Sequence, residues 1–226
     1  MPLKYRTLPY EVDESNVLTK LKKNVQKLLA SQARIANAVG FTPNTISVIG
    51  LVLSFLSAVA YTVAMNQPVL LLLAVTLLLS SGYCDTLDGV LARNHQQATK
   101  FGGFLDSLLD RYADAVVYCG VIIGGLCNIY LGLAALAGSL LVSYSRARAE
   151  AAGIKMESIG FAERAERMLI LAFASVATFF WLPSLNIGIA ILAVLSNLTV
   201  LQRGMHVYKS LKKKEPKNEL SSSSVL

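Results

Sequence analysis

Residues 85–110, DTLDGVLARNHQQATKFGGFLDSLLD, place Asp85, Asp88, Asp106 and Asp110 in a chain whose flanking segments are intensely apolar. A charged side chain costs about 2.5–3.5 kcal/mol at the centre of a membrane-spanning helix, so such residues face a polar cavity and mark function. On a helix the three-residue step from Asp85 to Asp88 and the four-residue step from Asp106 to Asp110 each put two carboxylates on one face. Two such faces, apposed, form an oxygen-rich site for a hard divalent cation such as Mg2+ or Mn2+, which binds carboxylate and water oxygens and bridges to substrate phosphates.

Outward from this stretch the chain reads as a membrane protein. Of its residues 54% are hydrophobic and only 15% are charged. Lys, Arg, Asp and Glu are all missing from residues 35–84, 115–145 and 168–202. A bilayer core takes about 20 apolar residues per helix, so the first and third windows each hold more than one span. Asn66-Gln67-Pro68 divides the first and Trp181-Leu182-Pro183-Ser184 the third, because proline disfavours helical geometry in its predecessor and has no N–H to donate. The middle region turns near Cys127-Asn128. The expected architecture is all-α: six transmembrane helices at residues 42–65, 68–93, 101–126, 129–151, 161–181 and 185–208.

Before them, Val17, Leu21, Val25, Leu28 and Leu29 recur at helical spacing among lysines, the pattern of an amphipathic helix lying at the membrane interface, or of a solvated helix packed on the domain. Three segments are therefore expected: residues 1–40 with the juxtamembrane helix, 41–208 with the helical domain, and 209–226 as a charged, serine-rich tail. That tail, from Lys212 onward, has the composition of a disordered segment. The polar N-terminus lacks the form of a secretory signal, so it is expected to be retained.

Basic residues flank alternate links only. Lys20, Lys22, Lys23 and Lys27 precede the first span, Arg93 and Lys100 join the second to the third, Arg146, Arg148, Lys155, Arg164 and Arg167 surround the fourth link, and Lys209, Lys212, Lys213 and Lys214 follow the sixth span. The positive-inside rule then puts both termini and the carboxylate ends of spans two and three in the cytoplasm of a multi-pass cell-membrane protein. Concentrated at the membrane surface, the net charge of +7 fits anionic headgroups and phosphorylated substrates, and argues against nucleic acid as a partner. Cys84, Cys119 and Cys127 lack paired metal-ligand spacing and read as free thiols; His95 and His206 read as interfacial.

The spacing D-x2-D-G-x2-A-R-x8-G-x3-D-x3-D, met without departure from Asp85 to Asp110, resembles the signature of the CDP-alcohol phosphotransferase family. The resemblance implies an enzyme that moves the phosphatidyl-type group of a CDP-linked lipid onto an acceptor hydroxyl and releases CMP. It also implies a homodimer and Mg2+ or Mn2+, as a pair of ions clamping the diphosphate. Carried over residue by residue, Asp85, Asp88 and Asp106 ligate metal, and Asp110 lies beside the metals and takes the acceptor's proton. Gly89 and Ala92 keep bulk off the face beside the metals, where small residues admit either a cytidine ring or a neighbouring helix. Arg93 neutralises diphosphate or caps its span, Thr99 stands in the small-hydroxyl position before Gly102, and Asn44 matches a family pattern at the start of span one, where it lines the donor site or serves as an N-cap.

The link between spans four and five, SYSRARAEAAG followed by GFAERAER, resembles the phosphatidylinositol phosphate synthase branch, with Arg146 in place of the usual lysine and Ala165 in place of the usual proline. That resemblance implies inositol 1-phosphate as acceptor, its phosphate received by Arg146, Arg164 and Arg203, and a CDP-diacylglycerol or ether-linked CDP-archaeol donor. Guanidinium groups suit bidentate phosphate binding. Glycerol 3-phosphate, serine or another small alcohol is the alternative acceptor. A cation-coupled transporter is the alternative of another class, since intramembrane carboxylates also bind coupling ions.

Overall fold

A computed structural model describes residues 17–156 and 159–214. Among them the chain forms seven helices: α1 (Val17–Ala38), α2 (Pro43–Val63), α3 (Val69–Asn94), α4 (Lys100–Ile123), α5 (Ile129–Ala151), α6 (Arg164–Thr178) and α7 (Ser184–Lys214). Four are long and apolar enough to cross a bilayer, α2, α3, α5 and residues 184–213 of α7, and the chain is a multi-pass membrane protein. The other two expected spans differ for identifiable reasons. α4 carries Lys100, Asp106, Asp110, Arg111 and Asp114 in its first 15 residues, and α6 has only 15 residues.

Local chemistry sets the boundaries. The Thr42 side chain accepts from the N–H of Thr45 and Pro43 takes the first turn of α2, so Thr42 is the N-cap and Asn44 is not. α4 begins at Thr99, whose hydroxyl accepts from the Gly102 N–H at 2.9 Å. It ends before Gly124 and Gly125, the latter at φ +66°, a left-handed conformation that glycine adopts without strain. The start of α6 lies three residues beyond the expected Phe161, where the Glu166 carboxylate accepts from the Glu163 N–H at 2.6 Å. α7 continues six residues past the expected Tyr208, so Lys212, Lys213 and Lys214 are helical. The rest of the serine-rich tail, like the N-terminal 16 residues, lies outside the described residues.

The buried core runs through Tyr61, Leu71, Leu78, Val117, Val121, Leu185, Ile189 and Leu192. Small residues bring helices together: a Cβ on Gly120 would stand 2.5 Å from the Ala58 carbonyl oxygen, and one on Gly124 would stand 2.3 Å from that of Tyr61. Glycine is therefore what lets α4 lie backbone-to-backbone on α2. Phe55, Val59, Phe173, Phe180, Trp181 and Leu201 stay exposed, the apolar exterior of a protein solvated by lipid. All three cysteines are free.

α2 packs extensively on both α3 and α4, whereas α3 and α4 touch each other only briefly. The space left between them, closed by the first turn of α2, is where the carboxylates lie. α1 docks on the same end. Ala33 is buried with Ile46 and Leu91, and the Gln97 amide donates to Asn37 at 2.9 Å. Leu29 is buried and Leu28 exposed, while the side chains of Val17, Leu21 and Val25 lie outside the described residues.

Candidate active site

The last three turns of α3 and the first three of α4 carry the expected carboxylates. Oxygens from Asp85, Asp88 and Asp106 all lie within 4.8 Å of one another, close enough to share a cation. Three carboxylates so close repel unless a cation lies among them, and oxygen-only donors suit a hard divalent ion. On that observation the residues present fit a metal. Asp88, 5% exposed, is held by a hydrogen bond from the Ser47 hydroxyl of α2.

Asp110 lies one turn further along α4, outside this trio. It pairs with Arg164 Nη1 at 2.7 Å and with Arg111 at 3.4 Å. Arg164 Nη1 also reaches Asp85 at 3.0 Å, and its Nε donates to Asp114 at 3.1 Å. One guanidinium thus joins three carboxylates from two helices to the start of α6. Asp114 in turn accepts from Arg167 Nη2 and from the Ser139 hydroxyl, both at 3.2 Å. Asp114 and Ser47 escaped the sequence reading, and Arg167 entered it only as a basic residue beside the fourth link. For Asp114 the signal was present, since Asp106, Asp110 and Asp114 continue one four-residue ladder.

Of the residues expected at the donor, Asn44, Gly89, Ala92, Arg93 and Thr99 line one open cavity of about 580 Å³ together with Ser47, Asp88, Gln97, Gly102 and Asp106, whereas Asp85 lines the adjacent pocket between the carboxylates and Arg164. Gly102 is constrained by that cavity, because a Cβ there would lie 2.9 Å from the Thr99 hydroxyl and 3.2 Å from Asn44 Oδ1. A Cβ on Gly89 would meet nothing closer than the flexible end of Arg93, at 3.3 Å, so the face beside Asp88 stays open.

The three arginines expected to receive an acceptor phosphate are placed differently from one another. Arg164 is in the site. Arg146 is exposed, pairs with Glu150 at 2.9 Å, and lines a groove of about 1370 Å³ between α4 and α5 that also includes Asp110 and Arg111. Arg203 is 3% exposed and donates to the carbonyls of Val142 and Ile159, tying α7 to α5 and to the link before α6.

This fold and carboxylate arrangement define a membrane-embedded transferase class, and the chain belongs to it: the description of the CDP-alcohol phosphatidyltransferase family matches residues 41–201. Among relatives, the chain is 37% identical over 199 residues to an archaetidylinositol phosphate synthase of Pyrococcus horikoshii, covering 88% of this chain and 99% of that protein. The crystal structure of Mycobacterium tuberculosis phosphatidylinositol phosphate synthase with CDP-DAG bound is similar at a TM-score of 0.71 and 30% identity, over 80% of this chain and 94% of that one. The structure of the same mycobacterial enzyme in complex with manganese and citrate also has a TM-score of 0.71 and 30% identity, over 80% of this chain and 88% of that one.

Proposed function

We propose that this enzyme transfers the phosphatidyl-type group of a CDP-linked lipid to the hydroxyl of inositol 1-phosphate and releases CMP. The observation that carries the reading is Arg164, a phosphate-binding type of side chain placed 3.0 Å from Asp85 and 2.7 Å from Asp110. A phosphorylated acceptor held there has its hydroxyl beside a carboxylate. The names of the similar synthases support the same acceptor.

In the proposed site Asp85, Asp88 and Asp106, with Asp110 beside them, hold Mg2+ or Mn2+, two ions in all. The bound cations supply charge neutralisation at the diphosphate oxygens and at the CMP leaving group. Asn44, Gly89, Ala92, Arg93 and Thr99, with Asp85, receive the nucleotide end of the donor in the cavity between α3 and α4. Arg164 holds the acceptor phosphate, with Arg146 on the groove wall; Arg203 adds positive charge from behind, within electrostatic range of both Arg146 and Arg167. Asp110 takes the hydroxyl proton as that oxygen bonds to the lipid-side phosphorus. The bond from this phosphorus to the bridging oxygen breaks, and CMP departs with the electron pair.

The same proposal includes six spans, with α4 and α6 crossing inside the bundle where their charges face protein, and α1 lying at the interface. Residues 41–208 form the catalytic domain, preceded by the juxtamembrane segment 1–40 and followed by the tail 209–226. Basic residues gather at the carboxylate end, so both termini and the site face the cytoplasm, and the active form is a homodimer. The test is an acceptor panel with radiolabelled CDP-diacylglycerol and CDP-archaeol, resolved by product chromatography. Inositol 1-phosphate should be the preferred acceptor with one or both donors. A preference for free inositol, serine or glycerol 3-phosphate would overturn the acceptor assignment.

A further inference from the structure

Arg164 has four side-chain torsions, yet its Nη1 must meet Asp85 and Asp110 at once. What fixes it is visible on the other edge of the guanidinium, where Nε donates to Asp114 Oδ1 at 3.1 Å. A guanidinium is planar, so anchoring Nε fixes where its two terminal nitrogens point. Asp114 is itself fixed. Its Oδ2 accepts from Arg167 Nη2 and Ser139 Oγ, and Arg167, 4% exposed, donates as well to the carbonyl of Ala162, two residues before α6. Asp114 lies two rungs beyond Asp106 on the α4 ladder, about 12 Å along the axis at 1.5 Å per residue. It is absent from the carboxylate trio that fits a cation.

We infer that Asp114 is a positioning residue of the transfer reaction: it accepts from Arg164 Nε and so aims the guanidinium at the Asp85–Asp110 pair and at an acceptor phosphate bound there. This rests on the reading of Arg164 as the acceptor's phosphate ligand. Asp114 touches no substrate. Its two oxygens tie the start of α6, and the buried Arg167 beneath it, to α4 and α5, so the acceptor side of the site is set by this carboxylate and the donor side is not.

The test is a double-mutant cycle in the full-length membrane enzyme. Asp114→Asn keeps the shape but weakens the hold on Nε, and should raise KM for inositol 1-phosphate about 10-fold or more, the scale for losing a charge-assisted bond, with KM for CDP-lipid within about 2-fold. In an Arg164→Ala background the same substitution should change the inositol 1-phosphate KM by less than about 3-fold, because its route of action is gone. Ser139→Ala, which removes one donor to Asp114 and no charge, should shift the same constant in the same direction by about 2- to 5-fold, and stands in should Asp114→Asn fail to fold. Effects of Asp114→Asn and Arg164→Ala that multiply, or a loss in kcat with both Michaelis constants unmoved, would overturn the inference and leave a purely structural carboxylate. A wild-type enzyme indifferent to phosphorylated acceptors would instead overturn the assignment of Arg164, and the inference with it.

Discussion

Asp110 differs from the three carboxylates beside it in what it touches. Asp85, Asp88 and Asp106 converge on one another, while Asp110 meets Arg164 and Arg111. A group between the cation site and the proposed acceptor ligand is placed to accept a proton. Asp110→Asn should therefore lower kcat by about 100-fold or more, the usual range for a general base, with CDP-lipid binding retained. Loss of donor binding of equal size, measured by equilibrium binding of labelled CDP-lipid, would make Asp110 a metal ligand instead. The sequence exposed these four residues because their spacing of three and four is a local, helical property. Ser47 was hidden for the opposite reason. Its bond to Asp88 spans 41 residues and exists only because α2 packs against α3. Arg203 shows the same limit, since its bonds to the carbonyls of Val142 and Ile159 exist only because α7 packs against α5 and the link before α6.

At the scale of the helix, charge-free windows and prolines located the elements to within six residues, and the departures at α4 and α6 arose where caps act. Glu163 with Glu166 starts α6 late, and Gly124 with Gly125 ends α4 early. The packing partners were not legible, because windows of similar hydropathy carry no record of which faces meet. Glycine holds that record. With the Ala58 carbonyl oxygen only 2.5 Å from a Cβ built on Gly120, Gly120→Val must push α4 off α2. Overpacking of this kind costs about 1–3 kcal/mol. Thermal unfolding in detergent should show a lower midpoint for Gly120→Val. Gly103→Ala, whose Cβ meets nothing within 4 Å, serves as the control and should unfold at or above the wild-type midpoint. Equal midpoints in the two variants would contradict the close approach.

The whole molecule puts its charge where the chemistry is. Apolar side chains cover the outside of the bundle, and the cavity lined by Asn44, Arg93 and Thr99, the carboxylates and Arg164 gather where α3 ends and α4 and α6 begin. The class of reaction was legible because the spacing from Asp85 to Asp110 resembles a family signature, whereas intramembrane carboxylates alone also admitted a cation-coupled transporter; the route from Arg164 through Asp114 to Arg167 was not legible, because it joins residues 50 and 53 positions apart. The central claim is that the Asp85, Asp88 and Asp106 cluster holds the cation for the transfer. The direct measurement is CMP release against inositol-lipid formation in reconstituted membranes, with Mn2+ binding followed by electron paramagnetic resonance. Wild type should release one CMP per lipid formed and stop on chelation, and Asp88→Asn should lose Mn2+ affinity and both products together. Undiminished CMP release from an Asp88→Asn enzyme that binds Mn2+ as tightly as wild type would contradict the account.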